Sequence, residues 1–509
     1  MNTFKRKALF TAVVAGLGVV GNAEAVFIAP NNTGQALLYP YYTVQNSGTN
    51  SWNTYISVVN TTDVSKAVKV RILEGRTSAE VLDFNLFLSP NDVWTAALIP
   101  SDSSDTSAGR IVTFDKSCTA PAIPPAGEPF RNFQYSGQAA GLGRDLSRTR
   151  EGYIEMIEMA SFSAGTATDV AVTHVNGVPA DCAFVQVSNQ ALLIADAIPP
   201  TGGLMGTGTL INVNSGLDAG YRPSALEAFS DTIILSQPGD IIPSLQDVSP
   251  PFSVVFNSGY PGGAVGGMAT TIYRSDFLNG SHVLAGAKAL ASVFMHESLM
   301  NEYVLDTTAA SLTDWVVTQP IKSLFVDEVT AAFPYTNILT ASGACETVEF
   351  SFFDREERGA TAGGIDFSPQ PPAGNPSSIC WESTVLSIRN GAAHMPTTAV
   401  SGVLGSRNTT TIHVTDSFQN GWANLRFTGA NATGVGIAAD PATSGGALMT
   451  GLPTGQVNFA ANATTYLGLP STGFMIRTFS NGTLTCGSGT CQGNYASLFD
   501  HAYRNNIFP

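Results

Sequence analysis

The stretch FMHESLMNEY, residues 294–303, begins like the zinc-protease motif H-E-x-x-H. In that motif two histidines one helical turn apart bind one zinc ion, and the glutamate acts as a general base. His296 and Glu297 fit the first half, but Met300 stands where the second histidine is needed. A thioether is too soft and weak a donor to replace imidazole on catalytic zinc, so the match fails at a ligand.

A copper site is a second interpretation of the same stretch. The spacing of Ala, Leu and Met predicts a helix near residues 282–303, and on a helix His296 and Met300 would share a face. Together with Met295 they could form a soft Cu(I) site. Methionine and histidine in an apolar helix are more often core residues, and we favour that interpretation.

Calcium is a more credible ligand than zinc for this acidic chain. Asp102 and Asp105 lie in the loop SDSSD, residues 101–105, which offers hard oxygen ligands. The loop lacks the residue order of an EF-hand, so a plain Ser/Asp turn is the favoured alternative. We expect no other cofactor.

No catalytic constellation emerges from the remaining motifs. The chain has no G-x-S-x-G elbow and no phosphate-binding loop, and its six histidines show no metal-binding spacing. Glu155 and Glu158 would point to opposite faces of a strand, and FDREER, residues 353–358, has the composition of a solvated turn with internal ion pairs. The sequence therefore predicts no catalytic and no cofactor-binding residue, and favours a protein that is not an enzyme.

Period-two alternation dominates the chain and predicts strands. Val68, Val70 and Ile72 fall on one face of one strand, and Leu82, Phe84 and Leu86 on one face of the next. Similar runs recur at 151–159, 183–187, 209–213 and 347–353. The sequence predicts a mainly β fold of immunoglobulin-like β-sandwich domains with long loop insertions and a few short helices.

The six cysteines predict three disulfides, because an even number in an exported chain favours pairing. Fifteen pairings are possible. We expect sequential neighbours to pair: Cys118 with Cys182, Cys345 with Cys380, and Cys486 with Cys491.

The N-terminus has the pattern of a secretory signal peptide. A basic start precedes a short apolar run, and the small-residue site around Ala25 predicts cleavage after residue 25. No later apolar run is long enough for a transmembrane helix. The net charge of -15 disfavours nucleic acid as a partner, since nucleic acid requires a basic face. We therefore expect a secreted chain at the cell surface, outside the cell or in the periplasm.

The length predicts two domains after residues 1–25 are removed. We place an N-terminal β-sandwich domain, with an insertion bounded by Cys118 and Cys182, at 26–245. A C-terminal β-rich domain, with one helix near 282–303, follows at 246–509. The Pro-rich stretch 237–252 marks the boundary.

Several blocks of the chain look like blocks shared by a group of uncharacterised secreted proteins of Gram-negative bacteria. The blocks are LLYPYYTV (37–44), TREGYIEMIEM (149–159), GTGTLINV (206–213), NEYVLD with TDWVVTQPIK (301–322) and FDREE (353–357). The resemblance implies export and a shared fold, and it carries over no catalytic residue.

Two functions fit these observations. The first is a structural or interaction protein of the bacterial surface that self-associates or binds envelope components, as in a surface layer or filament. Tyr39, Tyr41, Tyr42 and Trp52 could serve subunit contacts, although a place in the sandwich core is the favoured interpretation. The alternative is a carbohydrate-binding protein or hydrolase that acts in a groove between β domains. It would gain support if carboxylates shared one pocket with Trp94, Trp315 or Trp381.

Overall fold

The computed structural model describes residues 25–508 except 48–49, 105, 136–140, 188–189, 258–266, 274–275, 279–280, 363–377, 392–399, 415–416, 428–435 and 439–464. The predicted signal peptide, residues 1–25, lies outside the described residues except for Ala25. Two large antiparallel sheets dominate the first half and two large sheets dominate the second, with smaller two- and three-stranded sheets beside them, so the mainly β, sandwich-like prediction is confirmed. The strand predicted at 183–187 is wrong, because those residues lie in the helix Cys182–Val187.

The strands of the first half are β1 (Phe27–Ile28), β2 (Ala36–Thr43), β3 (Asn46–Ser47), β4 (Asn50–Asn60), β5 (Ser65–Glu74), β6 (Glu80–Leu88), β7 (Val93–Pro100), β8 (Gly109–Val112), β9 (Cys118–Ala120), β10 (Glu128–Pro129), β11 (Glu151–Phe162), β12 (His174–Val175), β13 (Val178–Pro179), β14 (Ala197–Ile198), β15 (Leu204–Asn212), β16 (Leu217–Tyr221) and β17 (Ser224–Glu227). The helices of this half are α1 (Ala167–Val172), α2 (Cys182–Val187) and α3 (Gln190–Asp196), with 3₁₀ helices at Phe133–Tyr135 and Leu146–Arg150.

Sheet A has eight strands in the order β1-β17-β2-β11-β5-β6-β9, with β14 also paired to β11. Sheet B has seven, in the order β10-β8-β7-β4-β15-β16, with β3 also paired to β4. Their facing apolar residues form one buried cluster, in which Val70 and Ile154 of sheet A join Val58 and Trp94 of sheet B. Sheets A and B are the N-terminal sandwich.

The second face of sheet A is buried as well, which the alternation did not predict. Every residue of β5 and of β11 is buried, including the charged ones. On this second face Lys69 pairs with Asp83, and Arg71 pairs with both Glu80 and Glu155. Because each buried charge has a partner, the face avoids the large penalty of an isolated buried ion. Sheet A is therefore the central layer of this half.

The stretch 237–252 helps to cover that second face. Just before the stretch, the backbone carbonyl of Ser236 accepts a hydrogen bond from the Asn85 side-chain amide at 2.9 Å. Within the stretch, Leu245 and Val248 are buried in the core cluster. The predicted boundary segment is therefore packed against the sandwich along part of its length.

The second half contains β18 (Phe252–Asn257), β19 (Gly267–Ile272), β20 (Asp276–Leu278), β21 (Ser281–Val283), β22 (Met295–His296), β23 (Ser298–Val304), β24 (Leu312–Thr318), β25 (Glu346–Asp354), β26 (Gly359–Ala362), β27 (Ser378–Ile379), β28 (Ser383–Asn390), β29 (Thr409–Val414), β30 (Asn420–Phe427), β31 (Gly436–Ala438), β32 (Thr465–Leu467), β33 (Leu469–Pro470), β34 (Thr472–Cys486), β35 (Gly489–Asp500), β36 (Ala502–Arg504) and β37 (Asn506–Phe508). Helix α4 (Ala285–Val293) and a 3₁₀ helix at Lys322–Leu324 complete it.

Sheet C has six strands in the order β26-β25-β30-β23-β36, with β27 also paired to β25. Sheet D has five, in the order β29-β28-β24-β34-β35. Trp315 of sheet D meets Phe350 of sheet C with ring centroids 5.3 Å apart, inside one buried cluster. Sheets C and D are the C-terminal sandwich.

The predicted helix near 282–303 is correct only in its middle. Helix α4 ends at Val293, and β22 and β23 follow it. Strand β23 pairs with β30 on one side and with β36 on the other. These ladder hydrogen bonds with distant strands outweigh the local helix propensity of Leu299 and Met300.

The two sandwiches meet along a buried seam of hydrogen bonds. Trp52 Nε1 donates to Val403 O at 3.1 Å, and the Tyr153 hydroxyl donates to Pro320 O at 2.9 Å. The backbone amide of Ser383 donates to Gly75 O at 2.8 Å. Two of the three core clusters contain apolar residues of both sandwiches, so the halves share hydrophobic core.

The three disulfides join the expected sequential neighbours: Cys118 with Cys182, Cys345 with Cys380, and Cys486 with Cys491. The first attaches α2 to the edge strand β9. No helix among the described residues has the length and apolar character that a bilayer-spanning helix requires.

Candidate functional site

The predicted copper site does not have the geometry on which it was based. His296 lies in β22 and Met300 in β23, so the two residues are not one helical turn apart. The His296 ring stacks on Tyr503 with centroids 4.0 Å apart, and its Nδ1 lies 2.9 Å from Asn505 Oδ1. Burial lowers the pKa of His296 to about 4. His296 is therefore a neutral, packed histidine, as the core interpretation expects.

The loop predicted to bind calcium already holds a cation from the protein itself. The buried Arg150 guanidinium donates to Ser107 O at 2.6 Å and also to Ser104 O. Asp102 Oδ1 accepts from the Ser104 amide at 2.7 Å, which is an Asx turn. Asp105 lies outside the described residues. Among the described residues, no three or more His, Cys, Asp or Glu side chains are grouped to hold a metal ion.

The carboxylate pairs named in the sequence analysis form ion pairs with basic residues, as the sequence suggested. Glu155 and Glu158 bind different partners, Arg71 and Lys66. In the turn after β25, Arg358 pairs with Asp354 at 2.5 Å and lies 3.8 Å from Glu356. These carboxylates are engaged in structural ion pairs.

The aromatic residues named for subunit contacts or sugar binding are mostly core residues. Tyr39, Tyr41, Tyr42 and Trp52 are fully buried, so the interpretation as exposed subunit contacts is wrong and the core interpretation is correct. Trp94 and Trp315 lie in different core clusters, and Trp381 lies beneath the guanidinium of Arg76. They do not form a common pocket.

A groove of about 530 Å³ lies elsewhere, where the edge strand β16 of sheet B meets the edge strand β35 of sheet D. Asn494 of β35 bridges the two edges by donating to Ser215 O at 2.7 Å. The groove is lined by Thr207, Gly208, Thr209, Gly220, Tyr221, Arg222, Leu498, Phe499 and Asp500. It lies between the two sandwiches, as the alternative function requires.

Packing excludes a side chain at one glycine of the groove, Gly208, but not at another, Gly220. A Cβ at Gly208 would lie 2.2 Å from Tyr221 Cζ, so a side chain would displace the Tyr221 ring, which stacks on Phe474 at 5.2 Å. A Cβ at Gly220 would meet nothing nearer than 3.7 Å. Packing therefore does not require glycine at position 220, and the missing side chain leaves space in the groove.

The groove contains one acidic residue, Asp500, and one basic residue, Arg222. Burial raises the pKa of Asp500, and the positive charge of Arg222 acts in the opposite direction. The Thr207 hydroxyl shares a hydrogen bond with the Ser57 hydroxyl at 2.8 Å. The groove thus offers hydroxyls, one carboxylate and one guanidinium beside the half-exposed Phe499 ring.

From Phe499 an aromatic strip continues across the C-terminal sandwich. Its members form a chain of neighbouring side chains on β25, β30, β23, β34 and β35: Phe353, Trp422, Glu302, Arg477 and Phe499. The rings of Phe353 and Trp422 stack 4.7 Å apart, and Trp422 is the register partner of Glu302. Glu302 binds Arg477 at 2.8 Å, and the Arg477 guanidinium lies 5.2 Å from the Phe499 ring. The strip alternates rings with paired charges.

A second surface, the uncharged face, covers the outside of sheet B and shares Thr207 and Thr209 with the groove. It consists of nine residues on three adjacent strands, none of them charged: Val93, Thr95 and Ala97 on β7, Tyr55, Ser57 and Val59 on β4, and Met205, Thr207 and Thr209 on β15. The register places Val93, Val59 and Met205 in one row, and Ala97, Tyr55 and Thr209 in another. Five of the nine residues, Val93, Thr95, Tyr55, Met205 and Thr207, are exposed.

Sequence reasoning identified neither the groove with its aromatic strip nor the uncharged face. The segment 204–210, LMGTGTL, alternates exposed residues with leucine or glycine, and that pattern could have indicated an open strand face. The strip had no such signal, because Phe353, Trp422 and Phe499 come from three distant strands.

Comparison with known proteins gives no family for the chain: no protein-family model, no curated protein and no solved structure matches it.

Proposed function

We propose that the protein is an exported structural or interaction protein of the bacterial surface, and that it self-associates through the uncharged face. The observation that carries the proposal is the nine-residue grid on sheet B. Surfaces of ordinary domains intersperse charges of both signs, whereas this face has rows of Val, Thr, Ser, Tyr and Met. Such a face can be dehydrated without burying an unpaired charge.

The absence of charge on this face makes it the surface through which a second copy of this acidic chain can bind. At a net charge of -15 two copies repel each other wherever acidic surfaces meet. The uncharged face is a surface on which two copies can approach without placing like charges together. The regular antiparallel register of β7, β4 and β15 also suits face-to-face packing of two sheets about 10 Å apart.

The size of the face indicates a weak individual contact. Three strands about 4.8 Å apart, with three outward positions about 6.7 Å apart on each, cover roughly 300 Å². Stable interfaces bury about 800 Å² on each partner. We therefore propose association that becomes stable when the contact is repeated in an assembly, as in a layer or filament.

Three disulfides and the predicted signal peptide support an extracellular or periplasmic location, since disulfides persist in oxidising compartments. The resemblance to secreted proteins of Gram-negative bacteria supports a bacterial envelope setting. The antiparallel two-layer packing of sheets A and B supports an immunoglobulin-like sandwich, which stays a prediction.

The test is the mass of the chain without residues 1–25 at rising concentration, by size exclusion with light scattering, together with negative-stain microscopy. Runs with calcium and with chelator measure any dependence on the metal. Val93→Glu places a charge on the uncharged face, and we expect association about tenfold weaker, or about 1.4 kcal/mol. Val329→Glu adds the same charge at an exposed loop position and is the control. A monomer at every concentration, or equal effects of the two variants, would overturn the proposal.

A further inference from the structure

We propose that the groove and the aromatic strip together form a binding site for a neutral polysaccharide. This inference goes beyond self-association and does not depend on it. It rests on the chemistry of the lining residues, on the balance of charge, and on the vacant position at Gly220.

The apolar part of the site suits the face of a sugar ring. One face of a pyranose presents mainly C–H groups, which pack against aromatic rings. Phe499 and Trp422 expose 48% and 43% of their surface, whereas the tryptophans Trp52, Trp94 and Trp315 are fully buried. Single exposed rings such as Phe114 are common on this chain, but Phe499 and Trp422 lie along one path with the groove, and exposed apolar groups that share one surface indicate a binding site.

The polar part of the site suits hydroxyl groups. Arg222 and Asp500 stand on opposite strands of the groove, and the hydroxyls of Thr207 and Thr209 line the wall. A guanidinium donates and a carboxylate accepts, so together they can bind neighbouring hydroxyls of one sugar unit. Sites with a mainly apolar lining and a few fixed polar groups are typical of specific ligand pockets.

The balance of charge indicates that the ligand is neutral. The groove contains Arg222 with Asp500, and the strip contains Arg477 with Glu302, so acid and base are equal in number. The chain as a whole has a net charge of -15, which repels polyanions. Acidic polysaccharides and nucleic acids are therefore poor candidates.

The continuity of groove and strip indicates a polymer. Side-chain contacts lead from the groove at Phe499 to Arg477 and then to Glu302. Glu302 is the cross-strand register partner of Trp422, which stacks on Phe353. The path crosses strands of both sheets of the C-terminal sandwich. A single sugar would fill only the groove, whereas a chain of sugars can follow the strip as well.

Gly220 provides a variant that tests the groove without disturbing the fold. A Cβ there meets no atom closer than 3.7 Å, so Gly220→Tyr should fold normally and fill the groove with a ring. Gly489 is the matched control, because it is exposed and a Cβ there lies 3.9 Å from its nearest neighbour, Cys486 O. Phe499→Ala removes the ring, and Phe114→Ala, at a Phe that is 89% exposed, is its control.

The experiment is native electrophoresis of the protein through gels that contain a neutral polysaccharide: hydroxyethyl cellulose, laminarin, mannan or dextran. Alginate gels measure binding to a polyanion, and gels with denatured casein measure binding of extended peptides to the sheet edges. Thermal unfolding of each variant confirms that it is folded. We expect at least one neutral polysaccharide to retard the wild-type chain.

The expected result is that Gly220→Tyr and Phe499→Ala weaken this retardation about tenfold or more, while Gly489→Tyr and Phe114→Ala leave it unchanged. Trp422→Ala should weaken binding of the polymer more than binding of a short oligosaccharide. No retardation by any of the four neutral polysaccharides would overturn the proposal. Retardation that survives Gly220→Tyr, or retardation only by casein or alginate, would overturn it equally.

Discussion

The carboxylate of Glu151 accepts a hydrogen bond from the backbone amide of Asn408, which is 257 residues further along the chain. The same carboxylate accepts from the amide of Arg407 at 3.0 Å and from the hydroxyl of Tyr41 at 2.9 Å. Glu151 begins β11 of sheet A, and Asn408 directly precedes β29 of sheet D. One buried side chain therefore joins the two sandwiches.

Glu151→Ala should lower the free energy of unfolding by about 3 kcal/mol, because it removes the acceptor of the Arg407 amide and of the buried Tyr41 hydroxyl, and one of the two acceptors of the Asn408 amide. Glu151→Gln should cost less, since its amide oxygen still accepts. Urea unfolding measures both, and Glu356→Gln in the exposed turn after β25 is the control. An effect of Glu151→Ala no larger than that of the control would contradict this role for the seam.

The disulfides should differ in their contributions to stability. Cys118 and Cys182 are 64 residues apart, whereas Cys486 and Cys491 are 5 apart. In the chain-entropy model the larger loop stabilises by about 4 kcal/mol and the smaller by about 2 kcal/mol. Paired Cys→Ala variants, compared by thermal unfolding without reductant, should follow that order. A reversed order would show that native contacts, rather than loop closure, decide the effect.

Acid should destabilise the fold through two buried histidines. Burial lowers the pKa of both His296 and His501 to about 4, below the ordinary value of 6.5. Between these values the unfolded chain binds more protons than the folded chain, so stability falls as the pH drops from about 6.5 to about 4. The slope is about 1.4 kcal/mol per pH unit for each histidine.

The geometry of His501 gives a physical reason for its neutral state. Its Nε2 lies 3.0 Å from Val316 O, and its Nδ1 lies 3.1 Å from the donor Asn301 Nδ2. A second proton on Nδ1 would point at the N–H group of Asn301, so the protonated ring would lose this hydrogen bond. His501→Gln should therefore reduce the slope of the free energy of unfolding against pH by about 1.4 kcal/mol per pH unit, the contribution of one proton. Urea unfolding at several pH values measures this slope. His174→Gln is the control, and equal slopes for both variants would count against the role of His501.

Removal of calcium should leave thermal stability unchanged, because Arg150 occupies the carbonyl oxygens of the loop at 101–107. Arg150→Met should destabilise the fold by about 2 kcal/mol or more, since it leaves those carbonyls without a charged donor. Thermal unfolding with calcium and with EGTA checks both statements. A clear loss of wild-type stability in EGTA would contradict this prediction and would support calcium binding.

Alternation predicted the strand that contains Val68, Val70 and Ile72, but it could not predict the burial of Lys69 and Arg71 between them. Those charges are buried because Asp83, Glu80 and Glu155 come from neighbouring strands to pair with them. A local pattern identifies a polar face, and only the strand order reveals whether that face is covered.

Local reasoning also succeeded in part at the segment that follows residue 284. Ala-rich residues 285–293 form helix α4 as their propensity indicates. Beyond Val293 the partners of β23 decide the structure, and they lie more than a hundred residues away in sequence. The aromatic strip was beyond prediction for the same reason, since the register of three distant strands brings Phe353, Trp422 and Glu302 together.

The burial of both faces of sheet A has a consequence for the synthesis of the chain. The ribosome completes β11 long before it makes the residues around Asn408, and until then Glu151 and the second face of sheet A lack part of their native cover. A fragment that stops near residue 245 would leave that cover missing permanently. The two sandwiches are therefore expected to fold as one unit, and an incomplete chain would need protection from aggregation until its last strands arrive.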